Sequence, residues 1–431
     1  MSKAKASTPA RSVDEQMRVL MRGVAYGDEQ IHRTMERELR ERLAEGRPLR
    51  VYLGVDPTAP DLTLGHTVAM RKLRQFQDLG HETVLLIGGF TSLIGDPSDK
   101  DSVRPMLTPE EIEANARTYL DQAFTVLDRD RTIVRNNAEW LDKLTFADLI
   151  KIASNYTVGQ FLQRDSFAQR RRRGDPIYVH EFFYAFMQAY DAVALETDVQ
   201  VGGIDQLFNL MAGRDLQRVY GQPPQIAITL PILVGTDGTQ KMSKTLGNHI
   251  ALNDPPQEMY GKVMSIPDHV MIDYFTLVTA VPADEIEKIR RQLAERSVNP
   301  MEVKKRLARE IVADLHDQPA AEEAERHFTR TFQERELPQD VPEYALTPET
   351  QAAKEGFGHE WAPSFHDVAA IIFRARLASS MSTARRLIRQ GAVEINGQRL
   401  ERNIAAVEPG DVIRVGKHRF LRIVPADKQP E

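Results

Sequence analysis

The 431-residue chain contains no cysteine, which excludes disulfides, Cys-ligated zinc, iron–sulfur clusters and thiol catalysis, and agrees with a reducing compartment such as the cytoplasm. It also lacks any apolar run near the ~18 residues of a membrane-spanning helix. The long uncharged stretch Val219–Thr236 is broken by Pro223, Pro224 and Pro231. No membrane association is expected. A secretory leader is not expected either, because Lys3, Lys5 and Arg11 are followed by no apolar core; the first residues read as a tail. Neither sign of charge dominates, with 56 Lys+Arg against 62 Asp+Glu, and 42% hydrophobic residues supply ample material for a core. At this length two or three domains are expected.

The distribution of charge says more than its sum. Phe365–Glu431 carries 12 Lys+Arg against 7 Asp+Glu, a net of +5, whereas the remaining residues hold 44 against 55, a net of −11. A basic tail on an acidic body points to a polyanionic partner, nucleic acid first among them, with plain solubility as the alternative.

Periodicity divides the chain further. Val13–Leu43 sets Met17, Leu20, Met21, Ile31 and Leu43 among charges, the pattern of helices packed on one side, so residues 1–48 read as a helical lead-in. Arg50–Val55 alternates and ends in Gly-Val-Asp-Pro, Thr67–Leu79 reads as a helix, and Thr83–Ile87 as a buried strand. Together they make a βαβ unit of an α/β domain. Glu110–Leu127, Phe146–Ala153 and Glu181–Leu195 are further helical patterns, and the proline-punctuated run Ile226–Val234 predicts a strand before the loop Gly235–Asn248. Beyond it, Glu285–Arg296 and Glu302–Leu315 show helical periodicity, and Pro338, Pro342, Pro348 and Pro363 mark a linker. In the tail a basic helix over Thr383–Gln390 precedes a strand and tight turn at Ala392–Gly397 and short strands around Val412–Val424.

Three segments carry chemistry. Gly54-Val55-Asp56-Pro57-Thr58-Ala59-Pro60-Asp61-Leu62-Thr63-Leu64-Gly65-His66 joins the first strand to a helix. Such a turn presents free N–H groups suited to phosphate, and equally suits a plain capped helix start. The loop from Gly235 through Lys241-Met242-Ser243-Lys244-Thr245 sets two lysines three residues apart, able to follow charge onto a leaving pyrophosphate or to stay as solvated surface. On the helix after Glu181, Tyr184, Gln188 and Asp191 fall at i, i+4 and i+7, hence on one face, which is either a binding stripe or a solvent-facing one.

In this order the first two segments resemble the HIGH and KMSKS signatures of class I aminoacyl-tRNA synthetases. Val51–Thr58, Ile94-Gly95-Asp96-Pro97-Ser98, the Gln-Ala-Tyr-Asp end of Tyr184–Asp191, and Gly202-Gly203-Ile204-Asp205-Gln206 are similar to bacterial tyrosyl-tRNA synthetases. The tail, with Ser382-Thr-Ala-Arg-Arg-Leu-Ile and Gly391-Ala-Val, resembles the S4 RNA-binding domain. The resemblance implies an α/β, Rossmann-like parallel-sheet catalytic domain over 49–248, containing a dimerisation insertion and the KMSKT loop. A helical anticodon-binding domain over 249–336, a linker over 337–364 and a small α+β S4-like RNA-binding domain over 365–431 follow.

The implied activity is tyrosine–tRNA ligation, in which the carboxylate of L-tyrosine attacks the α-phosphorus of ATP, pyrophosphate leaves, and tyrosine passes to the terminal ribose of tRNA(Tyr). By the same resemblance, Tyr184, Gln188 and Asp96 hold the α-ammonium, and Asp191 and Tyr52 the phenol hydroxyl. Phenylalanine would leave those two buried and unpaired, a rule of discrimination for which tyrosyl enzymes are themselves the usual illustration. Gly203 and Asp205 match ribose contacts, Leu233 and Val234 adenine contacts, and Gly54, Asp56 and Gln206 the surroundings of the α-phosphate. Thr58, Lys100, Arg104, Lys241 and Lys244 match residues that meet pyrophosphate, and Thr63 and His66 complete the catalytic set. The nucleophile is already ionised at neutral pH, so the first step needs no general base; magnesium is expected to travel with ATP, and no protein-held metal is expected. Arg170 and Arg171, within the run Arg170–Arg173 of the insertion, and Arg385, Arg386 and Lys417 of the tail are the tRNA-binding candidates, and a homodimer is expected. Two positions depart from the family: Thr63 stands where HIGH begins with histidine, and Asp99 where glycine is common. Restoring histidine at 63 is expected to speed activation. A tryptophan-specific relative and an RNA-binding paralogue without ligase activity are the competing readings.

Overall fold

The computed structural model describes residues 11–57, 61–98, 108–333, 341–346, 350, 365–416 and 419–425. Thr58, Asp99, Lys100, Arg104 and Lys417 lie outside the described residues. Several helix starts are encoded by capping boxes: the side chains of Ser12, Thr108, Thr145 and Thr157 accept from the helix backbone, and their own backbone N–H groups donate to the side chains of Glu15, Glu111, Asp148 and Gln160. Each such cap contributes about 1 kcal/mol.

The chain runs α1 (Val13–Leu20), α2 (Glu29–Ala44), β1 (Arg50–Val55), α3 (Leu64–Asp78), β2 (Glu82–Ile87), α4 (Pro109–Ala123), β3 (Thr132–Asn136), α5 (Ala138–Leu141), α6 (Phe146–Ala153), α7 (Val158–Leu162), α8 (Asp165–Arg173), α9 (His180–Leu195), β4 (Val199–Gly203), α10 (Leu207–Val219) and β5 (Ile226–Leu230). Five more helices follow, α11 (Pro256–Ser265), α12 (Met271–Val278), α13 (Ala283–Ala294), α14 (Pro300–Leu315) and α15 (Gln318–Phe328). Residues Met1–Arg326 form one compact unit, so α11 to α14 belong with the sheet.

That sheet is parallel throughout, in the order β3-β2-β1-β4-β5, with Val51 opposite Thr83 on one side and Val199 on the other. The expected Rossmann-like α/β architecture is therefore present. Strand order reverses between β1 and β4, and in open parallel sheets this reversal opens a crevice at the carboxyl ends of the strands. β2 is a central strand covered on both faces, and β5, though at the edge of the order, is buried along its whole length, which is why both read as nearly unbroken apolar runs. No helix among the described residues is long and apolar enough to cross a membrane.

The second unit, His327–Glu431, contains β6 (Glu343–Ala345), β7 (Phe365–Asp367), α16 (Val368–Arg374), α17 (Met381–Arg389), β8 (Val393–Ile395), β9 (Gln398–Arg399), β10 (Ile404–Ala406), β11 (Val412–Val415) and β12 (Arg419–Val424). Its main sheet has the order β6-β12-β11-β8-β9 and its core joins Ile371, Ile372, Ile388, Val393 and Ile413. The buried side of α17 is Ala384 and Ile388, which leaves Arg385 and Arg386 exposed.

Candidate active site

A cavity of about 340 Å³ opens in the crevice between β1 and β4. Tyr52, Gly54 and Asp56 enter it from β1 and the turn beyond, Thr63 and His66 from the start of α3, and Tyr184, Gln188 and Asp191 from α9. Asp96, Gly203, Asp205, Gln206, Leu233 and Lys241 complete the set of anticipated residues that the fold gathers there. The polar stripe of α9 thus faces the cavity and not solvent.

One end of the cavity is deeply buried. Asp191 accepts from Trp140 Nε1 at 2.8 Å and from Asn137 Nδ2 at 3.3 Å. Burial nevertheless pushes its carboxyl up to about 8, against the pull of those two donors. Tyr52 is fully buried, its hydroxyl meets no partner at hydrogen-bonding geometry, and Gln225 is a neighbouring polar side chain. A buried hydroxyl beside a buried acid makes a subsite for a group that both donates and accepts.

Further along α9 the groups suit a cation. Gln188 Oε1 is a buried acceptor without a partner. The Asp96 carboxylate accepts from Ser98 N at 2.8 Å and Gln206 Nε2 at 2.5 Å. Tyr184 donates to Asp56 at 2.9 Å, and Asp56 also accepts from Thr91 Oγ1 at 2.8 Å. The backbone approaches site carboxylates closely at two glycines: a Cβ on Gly88 would lie 2.0 Å from Asp56 Oδ1, and one on Gly203 2.2 Å from Asp205 Oδ1, so a side chain at either would displace that carboxylate.

The opposite end is made of turns. Thr63 is the N-cap of α3, and its backbone N–H donates to His66 Nδ1 at 3.1 Å. The imidazole is therefore neutral with its proton on Nε2, and burial holds it down at about 4. The Thr63 hydroxyl, 2.9 Å from the same nitrogen, is turned toward His66.

In the KMSKT loop, Asp237 accepts from the N–H groups of Thr239 and Gln240, each at 2.8 Å, and Asn248 ties Asp237 to Ser243 N and Lys241 O. Lys241 reaches the cavity lining, whereas Lys244 is held outside it by Asp61, Nζ to Oδ2 2.9 Å. Val234 is also outside the lining; its carbonyl accepts from Tyr274.

Arg170 corrects one expectation. It is only 2% exposed and is clamped on Glu181, Nη2 to Oε2 3.0 Å, with the Pro176 carbonyl as a further acceptor, so its charge is spent inside the protein and cannot meet tRNA. Arg171 remains exposed. The residues that the motifs did not disclose are Asn137 and Trp140 behind Asp191 and Thr91 behind Asp56. Asn137 directly follows β3, at the carboxyl edge where ligands bind in such sheets, and that was the available signal.

The start of α3, Lys241 of the KMSKT loop and the polar face of α9 converge on this crevice between the two halves of a parallel sheet, the layout of a class I synthetase fold. The chain belongs to the class I tRNA synthetases of the W and Y group, whose family model matches residues 44–333, and an S4 domain matches residues 368–413. Among curated relatives, the tyrosine–tRNA ligase of Moorella thermoacetica is 50% identical over 415 residues, covering 96% of this chain and 96% of that protein. That of Thermotoga maritima is 48% identical over 412 residues, covering 95% and 97%. Among solved structures, tyrosyl-tRNA synthetase from Archaeoglobus fulgidus, complexed with L-tyrosine, is 25% identical with a TM-score of 0.58, over 73% of this chain and all of that one. A C-terminally truncated mitochondrial tyrosyl-tRNA synthetase of Aspergillus nidulans shares the fold, with a TM-score of 0.58 at 24% identity, over 75% of this chain and 94% of that one.

Proposed function

We infer that this chain is a tyrosine–tRNA ligase that activates L-tyrosine with ATP and transfers it to tRNA(Tyr). The observation that carries the reading is the inward face of α9, where Asp191 meets Tyr52 at the blind end and Gln188 lies near the acids that suit an ammonium group. The phenol hydroxyl goes to Asp191 and Tyr52, and the α-ammonium to Gln188, Asp96 and Tyr184. The substrate carboxylate then points toward the start of α3. In-line attack on the α-phosphorus of ATP, which arrives with Mg²⁺, needs no general base, so positioning and charge stabilisation carry the step. Gly203 and Asp205 take the ribose, Leu233 the adenine, and Gly54, Asp56 and Gln206 surround the α-phosphate. His66 and Lys241, with Thr58, Lys100, Arg104 and a repositioned Lys244, meet the departing pyrophosphate.

The enzyme works in the cytoplasm as a homodimer. Supporting this assembly are exposed apolar side chains within one stretch of the chain, Ile133 and Val134 on β3, Phe146 and Ile150 on α6, and Val158 on α7. The helices after residue 249 take the anticodon arm, and Arg385 and Arg386 of α17 contact RNA phosphates along with Lys417. Arg171 does so from the insertion.

Amino-acid-dependent exchange of labelled pyrophosphate into ATP tests the reading. Tyrosine is expected to support exchange, and tryptophan and phenylalanine to give little. Exchange with tryptophan alone would establish the related specificity, and exchange with neither an RNA-binding paralogue.

A further inference from the structure

Arg164, between α7 and α8, is an anomaly in this fold. It is 8% exposed, yet it lies within ion-pair distance of no carboxylate among the described residues. Its guanidinium stacks between two aromatic rings, 5.3 Å from the Phe167 centroid and 4.8 Å from that of Phe208. Nη2 donates to Ser98 Oγ, while Nη1 is buried without a partner. A buried guanidinium without an ion pair is expensive and serves packing poorly, since an apolar side chain would fill the same slot between two phenyl rings.

Ser98 connects this cation to the amino-acid site. Its hydroxyl accepts from Arg164, and its backbone N–H donates to Asp96 Oδ1 at 2.8 Å. Gln206 Nε2 bridges Asp96 at 2.5 Å and Asp205 at 3.5 Å, so two carboxylates stand on the same amide. The groups facing Asp96 are Arg164 from the α7–α8 junction, Tyr184 from α9 and Asp205 from the turn after β4. Arg164 is the cation of that set.

We propose that Arg164 is a positioning residue for amino-acid binding: through Ser98 it fixes the Asp96 carboxylate, and its charge keeps that carboxylate ionised beside Asp205 so that it can receive an ammonium group. The proposal rests on the reading of Asp96 as an ammonium acceptor. Burial raises the Asp96 carboxyl above its ordinary value, while Ser98, Arg164 and Gln206 pull it down. Removing the arginine takes away one of those restraints. The carboxylate would then be protonated at higher pH, and the acid limb of tyrosine kcat/KM would move up. Arg164 touches no substrate in this scheme, so ATP binding is spared.

The test is pyrophosphate exchange by the full-length protein between pH 5.5 and 9, at varied tyrosine and at varied ATP. Arg164→Met is expected to raise the KM for tyrosine about tenfold at neutral pH, to leave that for ATP within about twofold, and to shift the acid limb upward by about one pH unit. Arg164→Lys is expected to restore the pH profile, because it keeps the charge. An unshifted profile in Arg164→Met, or equal losses for both substrates with no rescue by lysine, would overturn the proposal and reduce Arg164 to packing. Should Arg164→Met fail to fold, Ser98→Ala breaks the same link from the other side: a raised tyrosine KM supports the proposal, an unchanged one overturns it. Asp96→Asn, assayed alongside, separates the two layers. If it leaves the tyrosine KM unchanged, the reading of Asp96 itself fails; if it impairs tyrosine while Arg164→Met does not, only the role of Arg164 is lost.

Discussion

The two ends of the cavity are built on different principles. At the end proposed for the amino acid the polar groups ride on β1 and α9, packed in the core, with Asp191 held by Trp140 and Asn137 from behind. At the end proposed to meet pyrophosphate the lysines ride on a loop, and Lys244, 34% exposed, is already paired with Asp61. The first end is fixed before substrate arrives. In the proposed mechanism the second must break a pair in order to react. Recognition is therefore pre-built at the expense of stability, in a buried acid and an unpartnered phenol, whereas rate depends on charges free to follow the leaving group. Substitutions at the first end should change which amino acid is activated, and substitutions at the second how fast.

The largest effect is expected at Asp191. Asp191→Ala should cut kcat/KM for tyrosine by roughly a hundredfold, with little change in the KM for ATP and a much smaller loss for phenylalanine, measured by pyrophosphate exchange. The same residue should reveal the stability given up for recognition. With its carboxyl raised by burial from 3.8 to about 8, its contribution to the ligand-free fold is most favourable below 3.8 and is lost as pH rises toward 8. Asp191→Asn, which cannot ionise, should melt above the parent at pH 8, with the gap closing as the pH falls toward 5. A parent equally stable at both pH values relative to Asp191→Asn would remove the idea that this end is held under strain of desolvation.

How much of this contrast the sequence disclosed follows from the kind of signal each part leaves. Strand β1 occupies Arg50–Val55, as the alternation predicts, and α3 begins at Leu64 because Thr63 caps it, three residues before the predicted Thr67. Strand β3 went unread: Thr-Ile-Val-Arg-Asn is a short edge strand whose apolar residues are exposed, so neither alternation nor an apolar run marks it. The α9 stripe was legible because helical spacing alone puts Tyr184, Gln188 and Asp191 on one face. Asn137 and Trp140 were not, since their role exists only through contact with Asp191, 54 and 51 residues away. Arg170 was misread for the same reason. In a run of four arginines nothing local distinguishes the one that folds inward onto Glu181.

A middling effect is expected at Tyr52, where the buried hydroxyl has nothing to lose in the ligand-free protein. Tyr52→Phe should lower kcat/KM for tyrosine by roughly tenfold while leaving the melting temperature equal or slightly higher. A large drop in stability would mean that the hydroxyl is paired in the folded protein. At the start of α3, Thr63→Val removes the hydroxyl from His66 Nδ1 but keeps the backbone bond, so adenylate formation should slow about threefold with the tyrosine KM unchanged. Thr63→His, which family comparison presents as a repair, should slow it too. Position 63 is 3% exposed and already filled by the cap, and a ring there has no room without displacing His66. Faster single-turnover adenylate formation by Thr63→His would show that the turn can reopen.

The smallest effect is expected at Asp61, and it bears most directly on the claim that Lys244 is waiting in its present position. The Lys244–Asp61 pair is solvent-accessible on both sides, with Asp61 43% exposed, and a pair of this kind stabilises by no more than about 1 kcal/mol. A lysine that must leave it to meet pyrophosphate loses that much at most. Asp61→Asn should therefore raise the rate constant of adenylate formation by up to about threefold at low ionic strength, and the gain should fade in high salt as the pair is screened in the parent. Stability should change by less than about 0.5 kcal/mol. The opposite outcome is equally informative: if Asp61→Asn slows adenylate formation, Asp61 guides Lys244 into place, and the loop end of the cavity is pre-organised after all. Lys244→Ala in the same assay fixes the scale, because Asp61→Asn can affect the rate through this pair only while the lysine is present.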